Sequence, residues 1–162
     1  MKEHETDESL EAALAAAPAE LWAELSEAAR AFNAETEHTT WSGGDQIGTA
    51  VVDGEERPVL QMPYATYTPS VSRIVRLLYD IGVVHPFDWA HWDGEARYRD
   101  PAALRTAPVA DAARMATGII RNDRFFEGAI GAACRSGLFG AIVERLLRWY
   151  DSERPGAMDA TT

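Results

Sequence analysis

The sequence predicts an α+β fold that is mainly α-helical, with about five or six helices and one small antiparallel β-hairpin. Three observations predict this class. Apolar residues recur at helical spacing over most of the chain, one glycine-rich segment instead has β-branched and apolar residues around a turn, and 46% of the 162 residues are hydrophobic. A chain of this size and composition can bury one continuous core, so we expect a single compact domain.

The N-terminal region begins with an acidic, alanine-rich segment. Its apolar residues predict a short helix over 10–16 at the periphery of the fold. Pro18 then occupies the first position of a second, amphipathic helix over 18–34. The apolar residues of that helix follow one another at helical spacing: Leu21, Trp22, Leu25, Ala28, Ala29 and Phe32. We expect Trp22 and Phe32 to lie in the core.

The segment "TTWSGGDQIGTAVVDGEERPVLQMPY", residues 39–64, changes to a β pattern. Its β-branched and apolar residues flank the turn "DGEE", and a pair of glycines precedes them. The pattern predicts a hairpin in which 46–52 pairs with 58–64. No helix follows the glycines directly, so they indicate a tight backbone turn rather than a phosphate-binding loop.

The segment "TYTPSVSRIVRLLYDIG", residues 66–82, returns to the helical period. Thr68 is placed to be the N-cap, Pro69 stands in the first turn, and Gly82 ends the helix. One face of the predicted helix is apolar and consists of Val71, Ile74, Val75 and Leu78. This face is expected to pack against the core.

The C-terminal half is predicted to be helical. A possible helix over 91–99 and a short turn of helix at "DPAALRTA" precede three helices, over 109–121, 123–136 and 138–150. Gly137 separates the last two at a capping position. Taken with the N-terminal elements, these boundaries predict a flexible acidic segment over 1–17, a globular domain over 18–150 and a flexible tail over 151–162.

The charge of the chain is unevenly distributed. The formal net charge is −11, but residues 1–37 carry ten acids against Lys2 and Arg30, whereas residues 97–148 carry nine arginines against five acids. Lys2 is the only lysine, so nearly every cation is an arginine, which pairs with carboxylates and phosphates through two parallel hydrogen bonds. We expect the acidic region to contact the arginine-rich half, within one chain or across a homodimer.

The sequence also predicts a cellular compartment. Residues 1–15 lack the basic and apolar regions of a signal peptide, and no apolar run approaches the roughly 20 residues that span a bilayer. We therefore expect a cytoplasmic protein that does not enter the membrane. Cys134, the single cysteine, cannot form an internal disulfide and is predicted to be a small buried side chain rather than a reactive thiol.

The segment "HPFDWAHW", residues 85–92, combines two histidines, an aspartate and three aromatic residues. His85, Asp88 and His91 are spaced three apart and could ligate zinc, iron or manganese if the segment were helical. Pro86 would leave His85 outside such a helix, and no cysteine cluster supplies further ligands. We therefore favour a polar, hydrogen-bonded seam in an aromatic environment and predict no metal and no cofactor.

The segment "IIRNDRFFEG" places Arg121, Arg124 and Glu127 three apart, so that they would share a stripe on a continuous helix. Two arginines beside a carboxylate can clamp an anion. They can equally form a buried ion-pair network with Asp88, and we favour this structural interpretation because buried carboxylates need such partners. Asp88, Arg121, Arg124 and Glu127 are therefore the candidate polar cluster of the sequence.

Three segments together resemble a known family. The order "WSGG", then "PYATYTPSVSRIVRLLYDIGVVHPFDWAHW", then "RNDRFFEGAIGAACRSGLFGAIVERL" is similar to the bacterial family of uncharacterised proteins called domain of unknown function 6508. The likeness covers about residues 38–147, and its most specific parts are Pro-Phe-Asp-Trp at 86–89 and Arg-x-x-Arg-Phe-x-Glu-Gly at 121–128. The resemblance implies no activity or ligand. It implies that the acidic segment before about residue 38 lies outside the shared domain.

Three classes of function fit these observations. A protein-interaction or adaptor module without catalysis is our first hypothesis, because the chain is small, lacks known catalytic motifs and carries opposite charges in two regions. The second is a binder of a phosphate-bearing ligand or nucleic acid, using arginines and an aromatic surface. That candidate surface consists of Trp41, Tyr64, Trp89 and Trp92, and Tyr98 could also stack against a ligand. The third is an enzyme that uses the candidate polar cluster.

Overall fold

The computed structural model describes residues 5–160 and has a mainly helical α+β fold. Its eight α-helices are α1 (Asp7–Ala16), α2 (Ala19–Ala34), α3 (Pro69–Ile81), α4 (Gly94–Arg97), α5 (Pro101–Arg105), α6 (Val109–Asn122), α7 (Ala129–Ser136) and α8 (Leu138–Arg148). A π-helical turn, Trp149–Glu153, and a 3₁₀ turn, Ala157–Ala160, follow them. The fold class is confirmed, but the described residues form eight helices instead of about five or six. The short segments predicted at 10–16, 91–99 and "DPAALRTA" each form a helix of their own, α1, α4 and α5.

The four strands form two antiparallel sheets of two strands each, where one hairpin was predicted. Strands β2 (Gln46–Val52) and β3 (Glu55–Leu60) pair around a two-residue turn in which Asp53 and Gly54 both have positive φ. Strands β1 (Thr39–Ser42) and β4 (Tyr64–Tyr67) pair closer to the helices. The predicted partner strand, 58–64, is corrected to Glu55–Leu60, because the two-residue turn brings Glu55 opposite Val52 and Tyr64 already belongs to β4.

Helix α8 is the centre of the helical core. It contacts α2, α5, α6 and α7, and its inner residues are almost completely buried. These residues are Phe139, Ala141, Ile142, Val143 and Leu146. An amphipathic pattern with this wide an apolar face is what a helix surrounded by other helices requires.

Helix α2 packs on α3 and α8 through the predicted apolar face. Trp22 is 1% exposed and stacks on Tyr150, with the ring centroids 4.5 Å apart. Its indole N–H donates to the carbonyl oxygen of Leu14 at 3.3 Å, which satisfies the one polar atom of the ring. Phe32 is also buried. The prediction that Trp22 and Phe32 are core residues is therefore confirmed.

Helix α1 contributes to the same core. Leu10 and Leu14 are both fully buried, and Asp7 forms an ion pair with Arg114 of α6. The acidic N-terminal region thus contacts the arginine-rich half within one chain, which confirms one of the two predicted arrangements. Most of the described part of segment 1–17 thus belongs to helix α1. The predicted flexibility of 1–17 and 151–162 stays a prediction.

Two glycines end helices where the sequence predicted. Gly82 and Gly137 have φ of 93° and 84°, the left-handed conformation that glycine adopts without a steric penalty. Thr68 is at the N-cap of α3 but its hydroxyl makes no capping bond, because it donates to Glu35 Oε2 at 2.8 Å.

The prediction of a helix over 123–136 is wrong in its first half. Residues 123–128 form turns, and the helix begins only at Ala129. The preceding Gly128 has φ of 91°, so the backbone changes direction there instead of continuing the helix. Within residues 5–160, none of the helices is both long enough and apolar enough to cross a membrane.

We expect Trp22→Ala to lower the free energy of unfolding by roughly 3–5 kcal/mol, because it removes a fully buried ring and leaves a cavity. Phe126→Ala is the matched control, since Phe126 is 69% exposed and its loss should change stability by no more than about 0.5 kcal/mol. Chemical denaturation of both variants and the parent measures the difference. Equal stability of Trp22→Ala and the parent would contradict the packing described for α2.

Candidate functional site

His85 belongs to the interior of the fold. Its side chain is 7% exposed, and its Nδ1–H donates to the carbonyl oxygen of Val83 at 2.7 Å. The backbone N–H of His85 donates to the hydroxyl of Thr117 on α6 at 3.3 Å. Nε2 lies 3.4 Å from a carboxylate oxygen of Glu5 without forming a hydrogen bond. His85 therefore fixes the segment after α3 against α6.

Asp88 and His91 lie at the surface. Their side chains are 73% and 84% exposed, and His91 Nδ1 is 2.9 Å from Asp88 Oδ1. His85 points into the interior, so the three residues do not share a face. Within the described residues 5–160, no group of three or more His, Cys, Asp or Glu side chains could hold a metal ion.

The candidate polar cluster does not form the predicted ion-pair network among the described residues. Asp88 pairs locally with His91, and Arg124 Nη2 donates to the hydroxyl of Tyr79 on α3 at 3.2 Å. Arg121 has a buried Nε without a hydrogen-bond partner in the part of the chain described. The stripe that would have aligned the arginines with Glu127 is interrupted, because residues 123–128 are turns.

Glu127 instead helps to dock that turn segment on the sheet of β1 and β4. Its Oε1 accepts from the backbone N–H of Ala65 in β4 at 2.8 Å. Gly128 lies under the ring of Trp41, where an added Cβ would be 2.5 Å from the ring. The motif Arg-x-x-Arg-Phe-x-Glu-Gly therefore ends in two residues whose contacts are structural.

Asp123 anchors the same segment, although no sequence pattern marks it. Its Oδ1 accepts from the hydroxyl of Tyr67 at 2.6 Å and from the backbone N–H of Ile130 at 3.0 Å. Burial and the hydrogen bond to Asp123 raise the pKa of Tyr67. One carboxylate thus joins β4 to the start of α7.

The predicted aromatic surface divides into two groups. Trp41 and Tyr64 are 48% and 42% exposed on the sheet of β1 and β4. Trp89 and Trp92 are half-buried and line one cleft, and the ring of Trp89 stacks on Phe125 with the centroids 6.5 Å apart. The segments around 88 and 124 are therefore neighbours through aromatic rings rather than through ion pairs.

The cleft beside Trp89 and Trp92 is a concave cavity of about 370 Å³. It lies between α6 and α7, and the segment 89–99 forms its third wall. Its apolar walls include Met115, Ile119 and Leu138, and its polar residues include Arg99 and Arg114. None of Asp88, Arg121, Arg124 and Glu127 lines it. A volume of this size is within the ordinary range of small-molecule sites.

The charges around the cleft are partly neutralised. Burial alone would lower the pKa of Arg114, but hydrogen bonds and charge from Asp7 and Asp111 raise it overall. Asp111 also accepts from the hydroxyl of Tyr98, and burial together with this bond raises the pKa of Tyr98 to about 12. Arg99 is exposed and forms no ion pair or hydrogen bond within residues 5–160.

Gly118 is a lining residue whose type is unusual for its position. It lies inside α6, where glycine is less favourable than alanine by about 1 kcal/mol, and an added Cβ would meet no atom within 4 Å. Gly118 was not among the predicted site residues, although an isolated glycine inside a helical pattern is a recognisable signal. Arg99 stands in no motif, and Asn122 occupies an unspecified position of the motif at 121–128, so neither was singled out.

Comparison with family models matches residues 17–152 to a family described as "Family of unknown function (DUF6508)". The match begins before residue 38, so the expectation that the acidic segment before 38 lies outside the shared domain is corrected: α2 is part of it. Its packing against α3 and α8 gives the physical reason, because the core is incomplete without it. No curated protein and no solved structure matches the chain.

We expect Asp123→Ala to destabilise the protein by roughly 1–3 kcal/mol, because it leaves the Tyr67 hydroxyl and the Ile130 N–H without their acceptor. Arg124→Ala, one residue away and exposed, should change stability by no more than about 0.5 kcal/mol. Denaturant titration of both variants tests this. The structural role of the turn would be refuted if the two substitutions had equal effects.

Cys134 should react slowly with iodoacetamide in the folded protein. Burial raises the pKa of its thiol to about 12, and only the thiolate is the nucleophile. At pH 8 the thiolate fraction is therefore smaller than that of an ordinary cysteine by a factor on the order of 100 or more. Mass spectrometry of timed reactions, compared with the same protein in concentrated guanidinium chloride, measures the ratio. Equal rates in both conditions would be the contrary result.

Proposed function

The chain belongs to the DUF6508 family of unknown function, and we propose that it is a protein-interaction module that binds an extended segment of its partner along strand β2. The observation that carries the proposal is the exposure of the hairpin formed by β2 and β3. Every residue of both strands is exposed. The side chains of Ile47 and Val51 are 65% and 70% exposed.

The hairpin differs from the sheet of β1 and β4, which contacts the turn before α7. On β1 and β4, Trp41 packs on Gly128, and Glu127 accepts from the backbone of Ala65. Within residues 5–160, the side-chain hydrogen bonds and ion pairs of β2 and β3 stay inside the hairpin, between Gln46 and Gly48 and between Glu55 and Arg57. An isolated two-stranded hairpin is at best marginally stable in water. A partner that covers the hairpin would supply the missing burial.

Strand β2 has an edge suited to strand addition. Its sequence "QIGTAVV" contains no charged residue and no proline, two of the usual devices that prevent an edge from pairing. The one irregularity in its pairing lies at its start, between Gln46 and Gly48. Strand β3 carries both, with Pro58 and the charged residues Glu55, Glu56 and Arg57. An incoming strand would therefore pair with residues 48–52 of β2, beyond the register shift at Ile47, and place alternate side chains against Thr49 and Val51.

The charge of the protein indicates the chemistry of the partner. The chain carries a net charge of −11, and the hairpin contains three acids, Asp53, Glu55 and Glu56, against Arg57, with Asp45 directly before it. A segment with alternating apolar residues and Lys or Arg would match this surface, whereas a second copy would bring like charges together. We place the interaction in the cytoplasm, as the sequence predicts.

The alternatives receive less support from the geometry. Five of the nine arginines in 97–148 form ion pairs with acids, which reduces the charge left for a nucleic acid: Arg97, Arg105, Arg114, Arg145 and Arg148. For an enzyme, the four residues of the candidate polar cluster would have to converge on one cleft, and none of them lines the cavity described above.

The test is selection of binders to the full chain from a library of random peptides. We expect enrichment of peptides that alternate apolar and basic residues, with binding lost by at least tenfold in Val51→Lys. Val59→Lys, the matched substitution on β3, should retain binding. Amide hydrogen exchange should slow over 46–52 on binding, because backbone groups at the edge become paired.

Enriched peptides that bind Val51→Lys as well as the parent would overturn the proposal, as would a library that yields no binder. Analytical sedimentation of the chain without peptide tests whether a second copy of the chain occupies the edge of β2. A concentration-dependent dimer that Val51→Lys dissociates would assign the edge to a second copy and would overturn the assignment to a basic segment.

A further inference from the structure

We infer that the cleft between α6, α7 and the segment 89–99 binds a small molecule with a flat ring and one anionic group. The cleft is lined by residues of α4, α6, α7 and the start of α8, and none of the hairpin residues takes part. The inference is thus independent of the interaction proposed for β2.

The walls of the cleft favour a flat, apolar ligand. Met115 and Ile119 of α6 form one side, and Ala129 and Ala133 of α7 form the other. The alanines of α7 are short, so they leave a gap between α7 and α6 that a flat ring can enter. Concave sites with mostly apolar walls and a few polar groups are typical of small-molecule binding.

Two tryptophans are held in place at the third wall. Trp92 lies over Gly94, where an added Cβ would be 2.0 Å from its ring, and it packs edge-on against Phe87 at a centroid distance of 5.9 Å. Trp89 is held by its stack on Phe125. Both indole rings remain only half-buried, so each keeps surface that a ligand ring can contact.

Gly118 is the residue at which the cleft reaches the backbone of α6. Its conformation is not the left-handed one that requires glycine, and no atom lies within 4 Å of the place a Cβ would take. The backbone and the packing of the protein therefore leave room for a side chain at this position of α6. A ligand that approaches the helix closely accounts for the open space, since close approach to backbone is one of the uses of glycine.

The polar groups of the cleft indicate an anionic substituent. Arg99 is exposed at the cleft and has no ion-pair or hydrogen-bond partner within residues 5–160, whereas Arg114 is already paired with Asp7 and Asp111. The side chain of Asn122 makes no hydrogen bond to any other described residue and can donate or accept at the same site. Glu95 also lines the cleft, so one anionic group rather than several fits the charge balance. A carboxylate and a phosphate share this chemistry.

Calorimetric titration of the full chain with three probes tests the inference. The probes are 2-naphthoate, 2-naphthyl phosphate and the neutral 2-naphthamide. We expect at least one anionic probe to bind at concentrations below about 1 mM and the amide to bind at least tenfold more weakly. The anionic probe that binds more tightly shows whether the cleft prefers a carboxylate or a phosphate.

Two variants separate the ring from the charge. Gly118→Leu should fill the cleft and abolish binding of all three probes, while its melting temperature stays equal to or above that of the parent. Arg99→Ala should weaken the anionic probes to the level of the amide. Arg135→Ala, which removes the same charge from an exposed position of α7 outside the cleft, is the matched control and should bind as the parent does.

Ala132→Leu, at an exposed position of the cleft, repeats the filling experiment if Gly118→Leu does not fold. The inference is overturned if no probe binds, if the filled variants bind as well as the parent, or if the anionic probes and the amide bind equally. These outcomes leave the proposal for β2 unaffected, because peptide binding is measured separately.

Discussion

The fold depends on the burial of helix α8 and of the one charged residue that it carries into the core. Arg145 is 7% exposed, donates from Nε to the carbonyl oxygen of Ala107 at 2.6 Å, and forms two hydrogen bonds to the carboxylate of Glu153. A buried guanidinium without such partners would be strongly destabilising. Because its partners lie before α6 and in the π-helical turn, this one side chain fixes the position of both segments relative to α8.

Polar anchors of the same kind determine where the cleft lies. The hydroxyl of Thr117 accepts from the backbone of His85 and lies 3.1 Å from the carbonyl oxygen of Val83, so the chain after α3 is held against α6. That anchor positions the segment which carries Trp89 and Trp92. Asp123 performs the corresponding function for the start of α7. The two family-like motifs contribute only Trp89 and Asn122 to the lining of the cleft. Their acidic residues bond elsewhere, Asp88 to His91 and Glu127 to the backbone of Ala65.

The sequence predicts the elements whose signals are local. Helices α2 and α3 were predicted within one residue, because an apolar period, a proline at the start or a glycine at the end depends only on neighbouring residues. The pairing of β1 with β4 was missed because each strand has four residues and the two are separated by the whole hairpin. The turn over 123–128 was mistaken for helix because its two phenylalanines continue an apolar pattern, although both are exposed. The predicted ion pairs of the polar cluster are absent among the described residues for a related reason. Asp88 pairs with His91, three residues away, and the composition of a segment does not reveal which of several partners a carboxylate selects.

The junction between the two sheets has a mechanical consequence. Gly43 and Gly44 both have positive φ, and the chain crosses from β1 to β2 through them, while Gly44 and Gln61 are joined by a backbone hydrogen bond of 2.7 Å. The seven residues of β2 extend about 23 Å beyond this point at roughly 3.3 Å per residue. The hairpin is therefore attached to the rest of the fold through a narrow junction at its base. A rotation of about 15° at this junction would move the tip of the hairpin by roughly 6 Å, because the tip lies about 23 Å away.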